Sequence, residues 1–285
     1  MRIANLDGRA VLLTSDEAGL DVHAASAGRF GPDLPSVYKD WAAFMAWAEA
    51  LPQAAGDVAI ERARLGSPSP EPRQVLAIGL NYSEHAKESG FEQPETLPPV
   101  FTKFVTSISG PDTTVTLPAG GNTDWEVELV AVIGKTASNV PAAQAWEHVA
   151  GLSVGQDLSE RVSQLAGPAP QFGLGKSFAG FAPIGPWLVT VDEFADPDDL
   201  ELGCSIDGEQ VQKARTSELI FSVPQLIEAL SKTVTLLPGD VIFTGTPAGV
   251  GLGRSPQRFL RAGENLVSWV EGIGDLNQSF VMGDR

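Results

Sequence analysis

The stretch Asp124-Trp125-Glu126-Val127-Glu128-Leu129 sets two carboxylates two residues apart, directly ahead of the uncharged run Val130-Ala131-Val132-Ile133. In an extended strand, alternation puts Glu126 and Glu128 on one face, ~6.6 Å apart along the chain, with Trp125, Val127 and Leu129 on the other. One hard cation can engage both acids at that separation. Two unpaired charges leading a buried strand are costly, so the pattern calls either for such a cation or for a solvated strand end. Asp157, just after the apolar run Leu152–Val154, offers a third oxygen or simply opens an Asx turn. Three carboxylates suit Mg2+ or Mn2+, with positions left for water and a chelating substrate. One cysteine and three histidines, none of them clustered, argue against zinc.

His85 and Glu88 lie three apart in Asn81-Tyr82-Ser83-Glu84-His85-Ala86-Lys87-Glu88. On one helical turn they share a face, so the carboxylate can hold the imidazole in the tautomer that takes a proton from water. A solvated surface pair has the same spacing. Gly173-Leu174-Gly175-Lys176-Ser177 lacks a phosphate loop's first glycine, since Pro170 stands there. Lys176 is therefore either a surface charge or a fixed cation in a site. Gly249-Val250-Gly251-Leu252-Gly253 has Arg254 where a dinucleotide fingerprint needs glycine. Gly245-Thr246-Pro247, after the apolar Val241–Phe243, can offer backbone N–H groups and the Thr246 hydroxyl to an anion, or is only a tight strand exit.

The elements that must position these groups are mostly short β-branched runs bounded by Gly and Pro. They are Gln74–Gly79, Val100–Lys103, Glu126–Ile133, Trp187–Thr190, Leu202–Ile206, Asp240–Thr244 and Asn265–Val270. Helices are predicted over Ala142–Ala150, behind Pro141, and over Pro224–Ser231, behind Ser222. Residues 1–66 read as a small α/β domain: strands at Met1–Asn5 and Val11–Thr14, then a helix carrying Val37, Trp41, Phe44, Ala48 and Leu51. The proline-rich stretch 67–72 reads as a linker, and residues 73–285 as the main domain.

With 19 basic and 36 acidic residues the net charge is −17, which repels polyanions and excludes nucleic acid as a partner. There is no apolar run of membrane-spanning length, and the single Cys204 cannot form an internal disulfide. The sequence also shows no secretory leader, so a cytoplasmic location is expected.

In order along the chain, these segments resemble the fumarylacetoacetate hydrolase superfamily from about Val75 to Val281. The likeness rests on Gly79-Leu80-Asn81-Tyr82 with His85 and Glu88, Phe101-Thr102-Lys103, the Glu126/Glu128 strand, and Asp157-Leu158-Ser159-Glu160-Arg161 with Gln164. Lys176-Ser177-Phe178, Thr244–Gly251 and Glu271–Gly274 complete it. The resemblance implies a mainly β (α+β) fold, a mixed β-sandwich roll, in a homodimer. It also implies Mg2+ or Mn2+ held by Glu126, Glu128 and Asp157, with His85 and Glu88 activating water from a mobile lid. Lys176 would stabilise developing negative charge, and Tyr82, Arg161, Gln164 and Thr246 would line a small anionic 2-oxo acid. The activity so implied is hydrolysis of the C–C bond of a 2,4-dioxo acid, an acylpyruvate or a 2,4-diketo-3-deoxy sugar acid, to pyruvate and a second acid. Oxaloacetate decarboxylation, hydration or isomerisation of a 2-oxo-enoic acid, and metal-dependent carboxylate binding without catalysis are the alternatives. Two departures from the pattern bear on substrate placement: Ala179 where aspartate is common, and Gln156 where asparagine is frequent.

Overall fold

A computed structural model describes residues 1–52, 56–88, 90 and 92–283. Strands outweigh helices, and the sheets are mixed, giving the mainly β, α+β class expected. The large sheet runs in the order Val58–Ala59, Ala18–Asp21, Arg9–Leu13, Arg2–Leu6, Ala182–Val189, Val149–Gln156, Val127–Ile133, Val241–Phe243, Val75–Ile78, Val100–Thr102. A second sheet is built from Glu209–Arg215, Glu201–Ile206, Asn265–Val270, Gly274–Met282 and Asp112–Leu117.

The central strand Val127–Ile133 explains the apolar run that follows the paired acids. Leu129, Ala131 and Ile133 pack on one side with Leu202, Val270 and Leu276 of the second sheet and with Leu226, Ile227 and Leu230. Val130 and Val132 pack on the other side with Ile3, Trp41 and Phe44. A strand covered on both faces needs apolar residues at every position, not at alternate ones. The helix Val223–Ser231 begins where Ser222 predicts, closed by a reciprocal cap between Ser222 and Gln225. The helix expected over 142–150 is shorter: a 3-10 turn covers Ala142–His148, and at Val149 the chain enters the sheet, where that residue pairs with Ile133. The β-branched Val149 and its sheet partner win over local helical propensity.

Residues 1–66, expected as a small domain of their own, and 67–72, expected as a linker, are both joined closely to the rest of the chain. Arg2–Leu6 pairs with Ala182–Val189, so the amino-terminal strands extend the main sheet and share its core. The proline-rich stretch is extended, as its composition dictates, yet it is packed. Asn5 Nδ2 donates to Ser67 O at 2.9 Å, Tyr38 Oη to Pro68 O at 2.8 Å and Ser69 Oγ to Gly239 O at 2.6 Å. Extended chain can be buried once its polar groups find partners. One shared core predicts a single calorimetric transition, lowered throughout by about 0.5–1.5 kcal/mol in the Ile3→Val variant. Two resolved transitions would support a separate amino-terminal domain.

Candidate active site

Antiparallel pairing of Val127–Ile133 with Val149–Gln156 sets Val127 opposite Gln156 and Glu128 opposite Gly155. The pairing continues past the strand ends, where the Asp157 N–H donates to Glu126 O at 2.9 Å. Asp157 is thereby brought beside the acids some thirty residues earlier. One carboxylate oxygen from each of Glu126, Glu128 and Asp157 lies within 4.8 Å of the others, and all three residues are buried, at 6%, 1% and 0% exposure. The Glu126 N–H donates to Gln156 Oε1 at 2.8 Å, and Gln156 Nε2 donates to Ser268 Oγ. Gln156 thus fixes the backbone at Glu126.

Three buried basic side chains face these acids. Lys176 Nζ donates to Glu126 Oε2 at 2.8 Å and to Asp157 Oδ2 at 2.6 Å. Lys103 Nζ donates to the other Asp157 oxygen and to Lys176 O. Arg161 donates to Asp124 Oδ2 through Nε at 2.9 Å and Nη2 at 2.7 Å, reaches Glu126 Oε1 at 2.8 Å, and gives its Nη1 to Gln164 Oε1. Burial alone raises the Glu126 carboxyl, but Lys176 and Arg161 overcome it and hold Glu126 below the ordinary carboxylate range. Glu128 has no basic partner among the described residues. Its Oε2 accepts only the Gly245 N–H, at 2.6 Å, and burial, reinforced by the charges of Asp157 and Glu126, drives its carboxyl well above the ordinary range.

The clustered carboxylate oxygens and the unpartnered, buried Glu128 show that a divalent cation fits. Five carboxylates, of Glu88, Asp124, Glu126, Glu128 and Asp157, are set against the three cations Lys103, Arg161 and Lys176. Asp124, Glu126 and Asp157 are paired with those cations and Glu88 lies against His85, which leaves Glu128 as the acid whose missing counter-charge a divalent ion would supply. An all-oxygen donor set suits a hard ion such as Mg2+ or Mn2+.

A cavity of about 530 Å3 opens onto this cluster, with His85, Glu88, Glu126, Arg161, Gln164, Lys176 and Thr246 in its wall. His85 and Glu88 lie on the helix Ser83–Glu88, where the one-turn spacing brings His85 Nδ1 to 2.9 Å from Glu88 Oε1. Glu88 is anchored in turn by the Gly249 N–H, at 3.0 and 3.1 Å from its two oxygens. Gly253 allows that approach, because a Cβ there would lie about 3.0 Å from the Glu88 carboxyl. The same loop donates the N–H groups of Gly251, at 2.6 Å, and Leu252, at 2.9 Å, to Asp124. The loop following the strand Val241–Phe243 therefore holds both the His–Glu pair and the anchor of Arg161.

Residues 74–281 match the family described as fumarylacetoacetate hydrolase, C-terminal. The chain belongs to this family. Among solved structures, it is similar over the full length of both chains to a candidate HpcE protein of Mycobacterium smegmatis, at 59% identity and TM-score 0.95. It resembles a candidate 2-hydroxyhepta-2,4-diene-1,7-dioate isomerase of Mycobacterium abscessus at 29% identity and TM-score 0.83, covering 100% of this chain and 99% of that one. It also resembles maleylpyruvate hydrolase of Sphingobium sp. SYK-6, solved with manganese(II) and pyruvate, at 28% identity and TM-score 0.80 over all of both chains. Enzymes of this fumarylacetoacetate hydrolase family thus include both hydrolases and isomerases.

Of the residues singled out in the sequence, the structure places seven in the wall of one cavity, His85, Glu88, Glu126, Arg161, Gln164, Lys176 and Thr246, with Glu128 and Asp157 clustered beside Glu126. Tyr82 is the exception, and its reading as a substrate contact is corrected. Its side chain is 2% exposed and packs in the core with Leu129 and Leu226, off the cavity wall. The turn that follows Gly79-Leu80 points it inward, where the Tyr82↔Leu219 bridge fixes the backbone. Thr246 is on the wall, but its hydroxyl donates to Val127 O and accepts from Gln212, so it can offer a ligand only a lone pair. Ala179 is exposed and absent from the wall, so that departure does not alter the cavity surface. Asp124 and Lys103 were given no role by sequence reasoning. Their signal was a charged residue inside an otherwise apolar or β-rich stretch, which spacing alone does not distinguish from a surface position.

Proposed function

We propose that the protein is a divalent-metal-dependent hydrolase, using Mg2+ or Mn2+, that cleaves the C–C bond of a small 2,4-dioxo acid to pyruvate and a second acid. The observation that carries this reading is the placement of a carboxylate-held imidazole in the same cavity as a buried acidic triad whose Glu128 has no basic partner among the described residues. Glu126, Glu128 and Asp157 would hold the ion. When bound, it supplies the Lewis acidity that polarises the carbonyls of a chelating 2-oxo acid and steadies the enolate released.

The chain's own groups do the rest. With Nδ1 directed at Glu88, His85 presents Nε2 as the base that takes a proton from water. The hydroxide equivalent bonds to the distal carbonyl carbon, and the bond to the adjacent methylene breaks. That methylene receives the proton from His85 and becomes the methyl of pyruvate, while the acyl carbon leaves as the second carboxylic acid. Glu88 stabilises the imidazolium in between. Two of the three Lys176 N–H bonds are engaged by Glu126 and Asp157, which leaves the third for the developing oxyanion. Arg161 is committed to Asp124, Glu126 and Gln164, and its part is to hold Glu126 in place.

Metal-stripped protein should be inactive on acetylpyruvate and regain pyruvate formation with Mn2+ or Mg2+. Turnover of oxaloacetate alone would point to a decarboxylase. At a free ion concentration one hundred times Kd, the folded state should gain about 2.7 kcal/mol, and Glu128→Ala should abolish that gain in a thermal shift. An unchanged gain would remove Glu128 from the metal site. A homodimer is proposed with the same reading, and light scattering that gives a stable monomer at micromolar concentration would refute it.

A further inference from the structure

We infer that the site prefers 2,4-dioxo monocarboxylates bearing an alkyl or aryl acyl group over acids that carry a second, distal carboxylate. The inference deepens the function proposed above and takes only the reaction from it, because the discrimination itself is one of binding. Beyond the polar cluster the cavity wall is apolar, formed by Leu80, Phe101, Leu165, Phe172, Val250 and Leu252. Phe101 and Phe172 meet edge to face with ring centroids 5.6 Å apart, which gives this wall a fixed aromatic surface.

Leu80 is the most informative member. Its φ is +58°, a left-handed conformation that Gly or Asn ordinarily occupies and that a leucine enters only under constraint. The constraint is visible next door. Asn81 donates to Phe221 O at 2.9 Å and Thr244 O at 2.8 Å and accepts from the Phe221 N–H at 2.9 Å. Held at that angle, the Leu80 side chain forms part of the apolar wall.

Charge gives the same answer independently. Among the described residues, the wall's lysine and arginine are Lys176 and Arg161, and both are engaged by Glu126, Asp157 and Asp124. Under the proposed function, a substrate's first carboxylate would have the divalent ion held by Glu126, Glu128 and Asp157 as its partner. A second one would be desolvated against leucine and phenylalanine with no counter-ion, in a chain whose net charge of −17 already opposes dianions.

The test compares hexanoylpyruvate and benzoylpyruvate with maleylpyruvate as substrates of the Mn2+-loaded protein. In parallel, calorimetry compares 2-oxooctanoate with 2-oxoadipate as ligands that need no turnover. Both kcat/KM and Kd should favour the apolar acids at least tenfold, and Leu165→Arg, at a half-exposed position on the wall, should narrow or reverse that ranking. A ranking that favours the dicarboxylates, equal affinities, no binding of either oxo acid, or a Leu165→Arg protein with unchanged preference would each overturn the inference. If no dioxo acid is cleaved while 2-oxooctanoate still binds more tightly, the hydrolase reading fails and the apolar preference stands.

Discussion

Replacing His85 with alanine should lower the turnover of a 2,4-dioxo acid by about 10²–10⁴-fold, the usual worth of a positioned general base. Binding of Mn2+, followed by thermal shift, should be unchanged, since the imidazole makes no hydrogen bond to Glu126, Glu128 or Asp157. The two readouts separate the base from the metal cluster. Glu88→Gln keeps the shape of the partner but removes the charge that would stabilise an imidazolium, so its loss should be smaller and confined to kcat. If His85→Ala retained full activity, water activation would have to be reassigned. If it retained oxaloacetate decarboxylation alone, the protein would perform that reaction by carbonyl polarisation without the base.

Asp124→Ala should be the most destabilising single change in the site, by about 3–5 kcal/mol, because it leaves a buried guanidinium with half its counter-charge gone. Asp124 is fully buried and accepts two bonds from Arg161 and the backbone N–H groups of Trp125, Gly251 and Leu252. Alanine removes all of these acceptors at once, and each orphaned N–H carries its own desolvation penalty. The loop released by the change also anchors Glu88, so kcat should fall even in the fraction that remains folded. Urea unfolding measures the first effect. A loss below about 1 kcal/mol would show that Arg161 and the loop find other partners, and would contradict the view that Asp124 ties them together.

Where geometry follows from the period of the backbone, the site was legible in the linear sequence. Alternation put Glu126 and Glu128 on one face, and one helical turn put Glu88 beside His85, as the structure has them. The same local logic located the strand Asn265–Val270 and the capped helix behind Ser222. It missed the strands Asp112–Leu117, Glu209–Arg215 and Gly274–Met282, whose exposed alternate positions carry polar residues that read as loop. Proline content identified an extended segment at 67–72 but said nothing of its burial, which depends on acceptors as distant in sequence as Gly239.

By itself, then, the sequence determined the ordered acids, the His–Glu pair and the mainly β class, because each is a consequence of residue type and of repeats spanning a few residues. The tertiary structure alone decided which charges meet. Asp157 reaches Glu126 through strand register, and Lys103, just past the strand Val100–Thr102 and more than fifty residues away, shares Asp157 with Lys176. Tyr82 is turned into the core although it stands three residues from His85. Charge compensation, cavity shape and the apolar wall at Leu80, Phe101 and Phe172 are sums over groups remote in the chain. No local spacing encodes such sums, and only the packing of the sheets sets them.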